Sequence, residues 1–344
     1  MRFREHVPLA PYTTFKIGGP ARWFAEATTE DEILEAIDFA RTRSLPLFVL
    51  GGGSNLLVSD AGFPGLVLHI ALKGIEQQSE IFRVAAGEDW DSFVSHVVDA
   101  NYAGIECLAG IPGTVGGTPV QNVGAYGQEV AETIAAVRIL DLASLQFAEL
   151  SPDACGFSYR RSIFNSTERR RYIVTRVDYA LRRDGSARIA YADLKKHFVG
   201  AADPSLVEVS AAVRSIRHSK GMLIVEGDPD CRSAGSFFKN PVISADHYSQ
   251  IAAQYAAEVP CYPAPNGEIK LPAAWLVEQA GFHKGYALGP AGISSRHTLA
   301  LINRGNAKAA DILALRDQIV AAVEQKFRIR LEPEPVFLGP EFKL

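Results

Sequence analysis

The stretch SAGSFFKNP (233–241) places a single hydroxyl, that of Ser236, between a glycine and two phenylalanines. Gly235 leaves room beside the hydroxyl, while Lys239 and Asn240 follow with groups that bind anions. A serine hydroxyl in an apolar setting can protonate a strongly basic atom, which would make Ser236 a general acid. The alternative is a hydroxyl that only stabilises a local turn, and on chemistry alone the turn is favoured.

A first glycine-rich loop, LGGGSNLLVSD (50–60), follows a predicted strand. Glycine permits positive φ and leaves space for a large ligand. Successive backbone N–H groups in such a turn form a concave anion site. The loop therefore predicts either a pyrophosphate cradle or a turn in which glycine is needed only for shape, and the motif by itself does not separate the two.

A second loop, LAGIPGTVGGTPVQNVGAYGQE (108–129), carries six glycines, two prolines and almost no charge. Loops of this length without secondary structure are usually functional or disordered. Apolar residues are interleaved throughout this loop, which argues against disorder. Closely spaced glycines suit a backbone pressed against a flat ring system. Together the two loops predict one extended ligand that has both a diphosphate and a ring.

The elements that position these loops follow from hydrophobic periodicity. Helices are predicted at residues 30–43, 88–100, 205–220, 271–281 and 306–327. Strands are predicted at residues 45–50, 65–70, 82–87, 137–142 and 171–181. Gly281 is expected to end its helix, and Asn306 is expected to cap the last helix, which has the clearest apolar stripe. The pattern changes near residue 206, where we place a domain boundary.

Composition narrows the class of protein. The chain has 344 residues, which predicts about two domains. A net charge of −4 without a basic patch argues against nucleic acid as a partner. The four cysteines form no CxxC pair and have no histidine at ligand spacing, so we expect no metal and reduced thiols. There is no signal peptide pattern and no membrane helix, so we expect a cytoplasmic protein. We also expect a monomer.

Four motifs, in this order and spacing, resemble those of the UDP-N-acetylenolpyruvoylglucosamine reductase (MurB) family. They are the two glycine loops, SAGSFFKNP and LEPE (331–334), and the likeness extends back to TTFKIGG (13–19). The resemblance implies an α+β fold. Residues 1–206 would be a two-lobed FAD-binding domain of the vanillyl-alcohol-oxidase (PCMH) type, with lobes at about 1–72 and 73–206. Residues 207–344 would be an α+β substrate-binding domain.

The family reaction is the flavin-dependent reduction of UDP-N-acetylglucosamine enolpyruvate to UDP-N-acetylmuramate by NADPH, in bacterial peptidoglycan synthesis. FAD would be noncovalent, because no attachment histidine stands near the first loop. The residues that the resemblance assigns to FAD are Gly51, Gly52, Gly53, Ser54, Asn55, Ile111, Pro112, Gly113, Thr114, Gly117, Asn122 and Gly124.

Three residues match the family's catalytic positions. Ser236 would protonate the substrate, which reverses the preference for a simple turn. Arg160, in GFSYRRSIF (156–164), would bind the substrate carboxylate through its planar guanidinium, with Arg161 as the competing register. Glu334, in LEPEP, is expected to have a raised pKa or to pair directly with Arg160.

The substrate contacts implied by the resemblance are Tyr126, Tyr191, Lys220, Asn240 and Gln279. Tyr191 matches the mobile tyrosine of type I members, and Lys239 is the alternative to Lys220 for the diphosphate. Two departures stand out. Val336 replaces an arginine that is common in the family, and segment 220–235 is longer than usual. The rival functions are an FAD-dependent alcohol oxidase of the same fold and a non-catalytic UDP-sugar-binding module.

Overall fold

The computed structural model describes residues 1–200 and 203–342. They form two compact units, which are described separately below. Unit 1 comprises Met1–Val7, Ala21–Gly53 and Phe63–Ser219. Unit 2 comprises Pro8–Pro20, Ser54–Gly62 and Lys220–Leu344. Each unit has its own apolar core.

The five predicted helices are all present. In chain order the helices are α1 Glu30–Thr42, α2 Trp90–Asp99, α3 Ala192–His197, α4 Leu206–Ser219, α5 Ala245–Ala252, α6 Ala273–Gln279 and α7 Ala309–Phe327. Helix α1 shows why local sequence signals were sufficient to predict these five helices. The Thr29 hydroxyl accepts the backbone N–H of Glu32 at 3.2 Å, and an apolar face that includes Ile33 and Ile37 enters the core. Helices α3 and α5 were not predicted.

The five predicted strands are also present, as β3, β5, β7, β11 and β13 below. In chain order the strands are β1 Arg4–Pro8, β2 Pro20–Ala27, β3 Leu47–Leu50, β4 Leu56–Val58, β5 Phe63–Ile70, β6 Ile75–Gln78, β7 Ile81–Ala85, β8 Tyr102–Ala103, β9 Gly124–Ala125, β10 Gln128–Glu129, β11 Ile134–Asp141, β12 Gln146–Leu150, β13 Tyr172–Ala180, β14 Arg182–Arg183, β15 Val242–Ile243, β16 Tyr262–Pro263, β17 Ile269–Lys270, β18 Ala287–Leu288, β19 Ala291–Ile293, β20 Leu301–Asn303 and β21 Val336–Leu338.

Unit 1 contains two larger sheets. The first has the order β1-β2-β5-β3, with β5 parallel to both of its neighbours. The second is antiparallel, with the order β12-β11-β13-β7-β6. Helix α4 buries Leu206, Val209 and Val213 in the core of this unit. The boundary predicted at residue 206 therefore needs correction, because this apolar face keeps α4 in unit 1 and unit 2 resumes only at Lys220.

Unit 2 gathers segments from both ends of the chain. Strand β4 pairs in parallel with β21, so residues 56–58 join the C-terminal part. Phe15 and Leu57 are buried in the same core as α7. Two small antiparallel sheets, β15-β17-β16 and β18-β19-β20, complete this unit. The prediction that unit 2 would consist of C-terminal residues alone overlooked these pairings.

The start of α7 differs from the prediction. The helix begins at Ala309 rather than directly after Asn306, whose φ is +58°. The carboxylate of Asp60 accepts the backbone N–H groups of Ala309 and Ala310 at 2.8 and 3.1 Å. A residue from elsewhere in unit 2 thus supplies the acceptor that we assigned to Asn306. The predicted apolar stripe is confirmed, since its members are buried at Ile312, Leu315, Ile319, Val323 and Phe327.

Candidate functional site

The two glycine-rich loops touch each other within unit 1. A Cβ atom at Gly52 would lie 2.6 Å from the Cα of Gly113, and one at Gly51 would lie 2.8 Å from the Thr114 hydroxyl. Only glycine allows the loops to approach this closely. Among the described residues, none accepts a hydrogen bond from the backbone N–H of Gly52 or Gly53. These donors remain available to an anion, as a phosphate cradle requires.

The second loop is ordered by backbone hydrogen bonds to the turn that precedes α2. The Gly113 carbonyl accepts the N–H of Trp90 at 3.1 Å, and the N–H of Gly116 donates to the Ala86 carbonyl at 2.8 Å. Within the loop, Ile111 and Pro112 are half-buried, Gly124 is buried, and Gly117 is exposed. A Cβ at Gly117 would meet nothing closer than 4.0 Å, so steric need within the protein does not explain that glycine.

Asn122 organises the end of this loop. Its amide nitrogen donates to the Glu129 carboxylate at 2.7 Å and to the Ser158 carbonyl at 3.1 Å, and its amide oxygen accepts the N–H of Ala131 at 3.2 Å. The residue is 1% exposed and has a φ of +45°. Because these bonds occupy both ends of the side-chain amide, any contact with a cofactor would come from its backbone.

The structure separates the two candidate arginines. Ser158 and Arg161 exchange backbone hydrogen bonds of 3.0 Å, which leaves Tyr159 and Arg160 at the tip of a tight turn. Arg160 has a φ of +55°, and its guanidinium donates to the Gly124 carbonyl at 2.7 Å. The side chain of Arg161 is exposed. Arg160 is therefore the arginine that reaches the second glycine loop, and its strained backbone is typical of functional sites.

Two of the predicted substrate residues meet in unit 1. The rings of Tyr126 and Tyr191 pack edge to face with centroids 5.4 Å apart, and Tyr191 is 44% exposed. Sequence reasoning missed a third residue, Arg217, which hydrogen-bonds to Tyr126 and donates to the Gly110 carbonyl at 3.0 Å. Burial lowers the pKa of Arg217. The sequence did contain a signal for Arg217, because this charged residue lies four positions after Val213 and therefore on the apolar face of α4.

In unit 2 Ser236 is half-buried, and its hydroxyl bonds to none of the described residues. The local turn is instead made by Ser233, whose hydroxyl accepts the N–H of Gly235 at 3.2 Å. Gly235 has a φ of +74°, which favours glycine. Phe237 and Phe238 are 0% and 2% exposed and anchor the segment in the core. The turn that was the alternative explanation for Ser236 is thus formed by a different serine.

The segments that carry Ser236 and Glu334 are hydrogen-bonded to each other. The N–H of Glu334 donates to the Phe237 carbonyl at 2.8 Å, and Phe238 pairs with Pro333. Asn55, from the first glycine loop, also contacts these segments, because its side-chain amide donates to the Glu334 carbonyl at 3.3 Å. Two of the candidate catalytic residues, separated by most of the C-terminal half of the chain, are therefore on adjacent backbone segments.

Other candidate substrate residues also lie in unit 2. The Asn240 amide oxygen accepts the N–H of Ala273 at the start of α6 at 2.9 Å, and its NH₂ group donates to none of the described residues. Lys239 pairs with Glu332 at 3.6 Å. Lys220 begins this part of unit 2, and Gln279 is half-buried at the end of α6.

The long segment 220–235 is clamped by Arg296. The guanidinium contacts the carboxylates of Asp228 and Asp230, the latter at 3.0 Å, and Ser295 donates to Asp230 at 2.7 Å. Burial raises the pKa of Asp230, but the hydrogen bonds from Ser295 and Arg296 outweigh it, so the pKa lies below its usual value. A Cβ at Gly221 would lie 3.1 Å from Arg296. The extra length is therefore an ordered segment.

The described residues contain no group of metal-ligating side chains that could hold an ion. Within that same part of the chain, no helix is both long enough and apolar enough to cross a membrane.

Comparison with known protein families first identifies the class of protein. An FAD-binding-domain model matches residues 21–144, which include both glycine loops, so the chain is an FAD-binding flavoprotein. The close loop contacts and available N–H donors of unit 1 fit that cofactor. A second model, the C-terminal domain of UDP-N-acetylenolpyruvoylglucosamine reductase, matches residues 228–338.

Whole-length relatives then give the family. UDP-N-acetylenolpyruvoylglucosamine reductases of Thermobifida fusca and Streptomyces coelicolor are each 46% identical. The first alignment covers 98% of both chains, and the second covers 96% of this chain and 89% of the relative. The crystal structure of the Thermus caldophilus enzyme has a TM-score of 0.68 at 28% identity, over 98% of this chain and 100% of that one. The chain belongs to the UDP-N-acetylenolpyruvoylglucosamine reductase family, which confirms the predicted family and α+β fold.

Proposed function

We propose that this protein reduces UDP-N-acetylglucosamine enolpyruvate to UDP-N-acetylmuramate, with FAD as its noncovalent cofactor and NADPH as reductant. Family membership supports the overall reaction. The observation that carries the residue assignment is that Ser236 is half-buried and that the local turn does not use its hydroxyl. The reaction belongs to peptidoglycan precursor synthesis. We place it in the cytoplasm, consistent with the free thiols of all four cysteines.

The cofactor would be held by the backbone of the two glycine loops. The free N–H groups of Gly52 and Gly53 suit the diphosphate, and the loop from Ile111 to Thr114, together with Gly117 and Gly124, suits the ring. FAD, when bound, would supply the redox chemistry that transfers a hydride equivalent from NADPH to the terminal vinyl carbon of the substrate. The protein's part is to bind, orient and provide the proton.

Ser236 donates that proton. Adding a hydride to the vinyl carbon leaves negative charge on the carbon that bears the ether oxygen, and this charge spreads into the neighbouring carboxylate. Such a carbon is basic enough to take a proton from a serine hydroxyl. A hydroxyl without a competing hydrogen-bond partner among the described residues is free to turn toward it.

Arg160 binds the substrate carboxylate and stabilises the charge that develops there. Its planar guanidinium matches a carboxylate with two parallel hydrogen bonds. A fixed donor aimed at developing charge is among the largest contributions to catalysis. Glu334 assists only if its carboxyl is protonated or ion-paired, because two facing carboxylates repel each other. Lys220 and Asn240 bind the diphosphate, and Gln279 contacts the sugar nucleotide. Tyr126 and Tyr191 are further substrate contacts.

Anaerobic stopped-flow absorbance at the flavin band tests these assignments. NADPH is added first and the enolpyruvyl sugar second, so that flavin reduction and reoxidation are measured separately. In Ser236→Ala we expect reduction to proceed normally and reoxidation to slow by about 100- to 10,000-fold, the usual range for loss of a general acid. Ser249→Ala, an exposed serine on α5, is the control. Equal slowing of both steps would refute the proton-donor role, and a protein that purifies without flavin would refute the function.

A further inference from the structure

The TTFKIGG motif has no part in the reaction described so far, yet Thr14 contacts two segments of the site. Its hydroxyl lies 2.6 Å from the Ser233 carbonyl and 3.3 Å from the Ser54 carbonyl, all within unit 2. The threonine itself is half-buried. One hydroxyl therefore contacts both the backbone just before Ser236 and the backbone of Ser54, which directly follows the three glycines of the first loop.

A neighbouring asparagine reinforces the same link. The buried side chain of Asn303 donates to the Phe15 carbonyl at 3.0 Å, and its backbone N–H donates to the Arg232 carbonyl at 2.9 Å. The Phe15 ring packs edge to face on Phe237 with centroids 6.4 Å apart. The TTFKIGG motif thus contacts the segment 233–238, here called the serine segment, at its backbone and at the buried Phe237 ring.

Ser236 lies between two fixed points of this segment. On one side is the Ser233 carbonyl, held by Thr14. On the other is Phe237, whose N–H donates to the Leu299 carbonyl at 2.8 Å. Between them Gly235 has a φ of +74° and no side chain, so its backbone can reorient at low cost once an anchor is lost.

We propose that Thr14 is a positioning residue for Ser236: its hydroxyl fixes the backbone at Ser233 and thereby the direction of the Ser236 hydroxyl. This inference rests on the proposed function for its effect on turnover, but its effect on the segment does not depend on that function. Thr14→Val removes the hydroxyl at nearly constant volume, and Thr14→Ser restores it. Thr13→Val is the matched control, because the Thr13 hydroxyl bonds to Ala10 and Ile17 and not to the serine segment.

Hydrogen exchange measured by mass spectrometry tests the structural part. The amides of Ser233, Gly235 and Phe237 are hydrogen-bonded and fall in one stretch, 232–238. In Thr14→Val we expect exchange there to be about 5- to 10-fold faster, as loss of one hydrogen bond predicts. Thr14→Ser should match the unchanged protein. Unchanged exchange in Thr14→Val, or equal acceleration in Thr13→Val, would overturn the proposal.

Stopped-flow kinetics tests the catalytic part. We expect Thr14→Val to keep its flavin reduction rate and to slow reoxidation by the enolpyruvyl sugar about 10- to 100-fold, since small displacements of a catalytic group cost this much. Faster exchange with unchanged reoxidation would overturn the link to Ser236. If the unsubstituted protein itself failed to be reoxidised by the sugar, the proposed function would fail, while the exchange result would still decide whether Thr14 holds the segment.

Discussion

Replacement of Arg296 by methionine should destabilise the protein in a way that depends on pH. The Arg296 side chain is 26% exposed, and the side chains of Asp228 and Asp230 that it contacts are 21% and 9% exposed. Without the arginine, two neighbouring carboxylates stay partly buried and repel each other. Breaking a fully buried pair costs about 3 to 5 kcal/mol and an exposed pair about 0 to 1 kcal/mol. For this half-buried clamp we expect about 2 to 3 kcal/mol at pH 7.

The pKa directions give the sign of the pH dependence. Hydrogen bonds, chiefly from Arg296 to Asp228 and from Ser295 to Asp230, outweigh burial and hold both pKa values below the ordinary 3.8. Folded-state pKa values that are lowered add stability above that ordinary value, and this stability disappears as the pH falls through the folded values. In Arg296→Met the two carboxylates lose their cation, so the destabilisation should be largest at neutral pH and should shrink as the pH falls below the ordinary pKa of 3.8.

Urea unfolding at about pH 7 and about pH 3 measures this difference, because the lower pH lies below the ordinary carboxyl pKa of 3.8. Arg330→Met is the matched control, because it removes an arginine whose side chain is 75% exposed and which pairs with Glu324 at 2.9 Å. The control should lose about 0 to 1 kcal/mol. If Arg296→Met lost the same free energy of unfolding at both pH values, the loss would come from packing of the side-chain stem, and the account based on charge would be refuted.

Two further predictions concern unit 1. Arg160→Lys should slow reoxidation by the enolpyruvyl sugar about 10- to 100-fold, because lysine cannot make two parallel hydrogen bonds to a carboxylate. Arg161→Lys should change the reoxidation rate by less than about twofold. A larger effect from Arg161→Lys than from Arg160→Lys would show that Arg161 is the functional arginine. Gly52→Ala should weaken FAD binding at least about 10-fold, because its Cβ would lie 2.6 Å from the Cα of Gly113. Flavin fluorescence titration measures this affinity. An unchanged affinity would mean that the close contact between the two glycine loops is not needed for FAD binding.

Local signals were sufficient for much of the fold. Helices α1, α2, α4, α6 and α7 and strands β3, β5, β7, β11 and β13 have apolar patterns long enough to identify. Strands β15 to β21 have two or three residues each, too few for alternation to appear, and they were missed. The glycine loops were predicted as ligand loops because their residue types restrict what the backbone can do.

The order of the motifs and the chemistry of their residues were determined by the sequence alone, because the motifs are local and the resemblance depends only on their identity and spacing. Tertiary structure decided which arginine reaches the second glycine loop, since a one-residue turn register exposes Arg161 and directs Arg160 to Gly124. Tertiary structure also decided that the hydroxyl of Ser233 makes the local turn and that the hydroxyl of Ser236 does not. The union of residues 8–20 and 54–62 with the C-terminal part depends on the pairing of β4 with β21 and on one shared core. Strand pairing between distant segments leaves no periodic trace in either segment, so no local pattern could have predicted it.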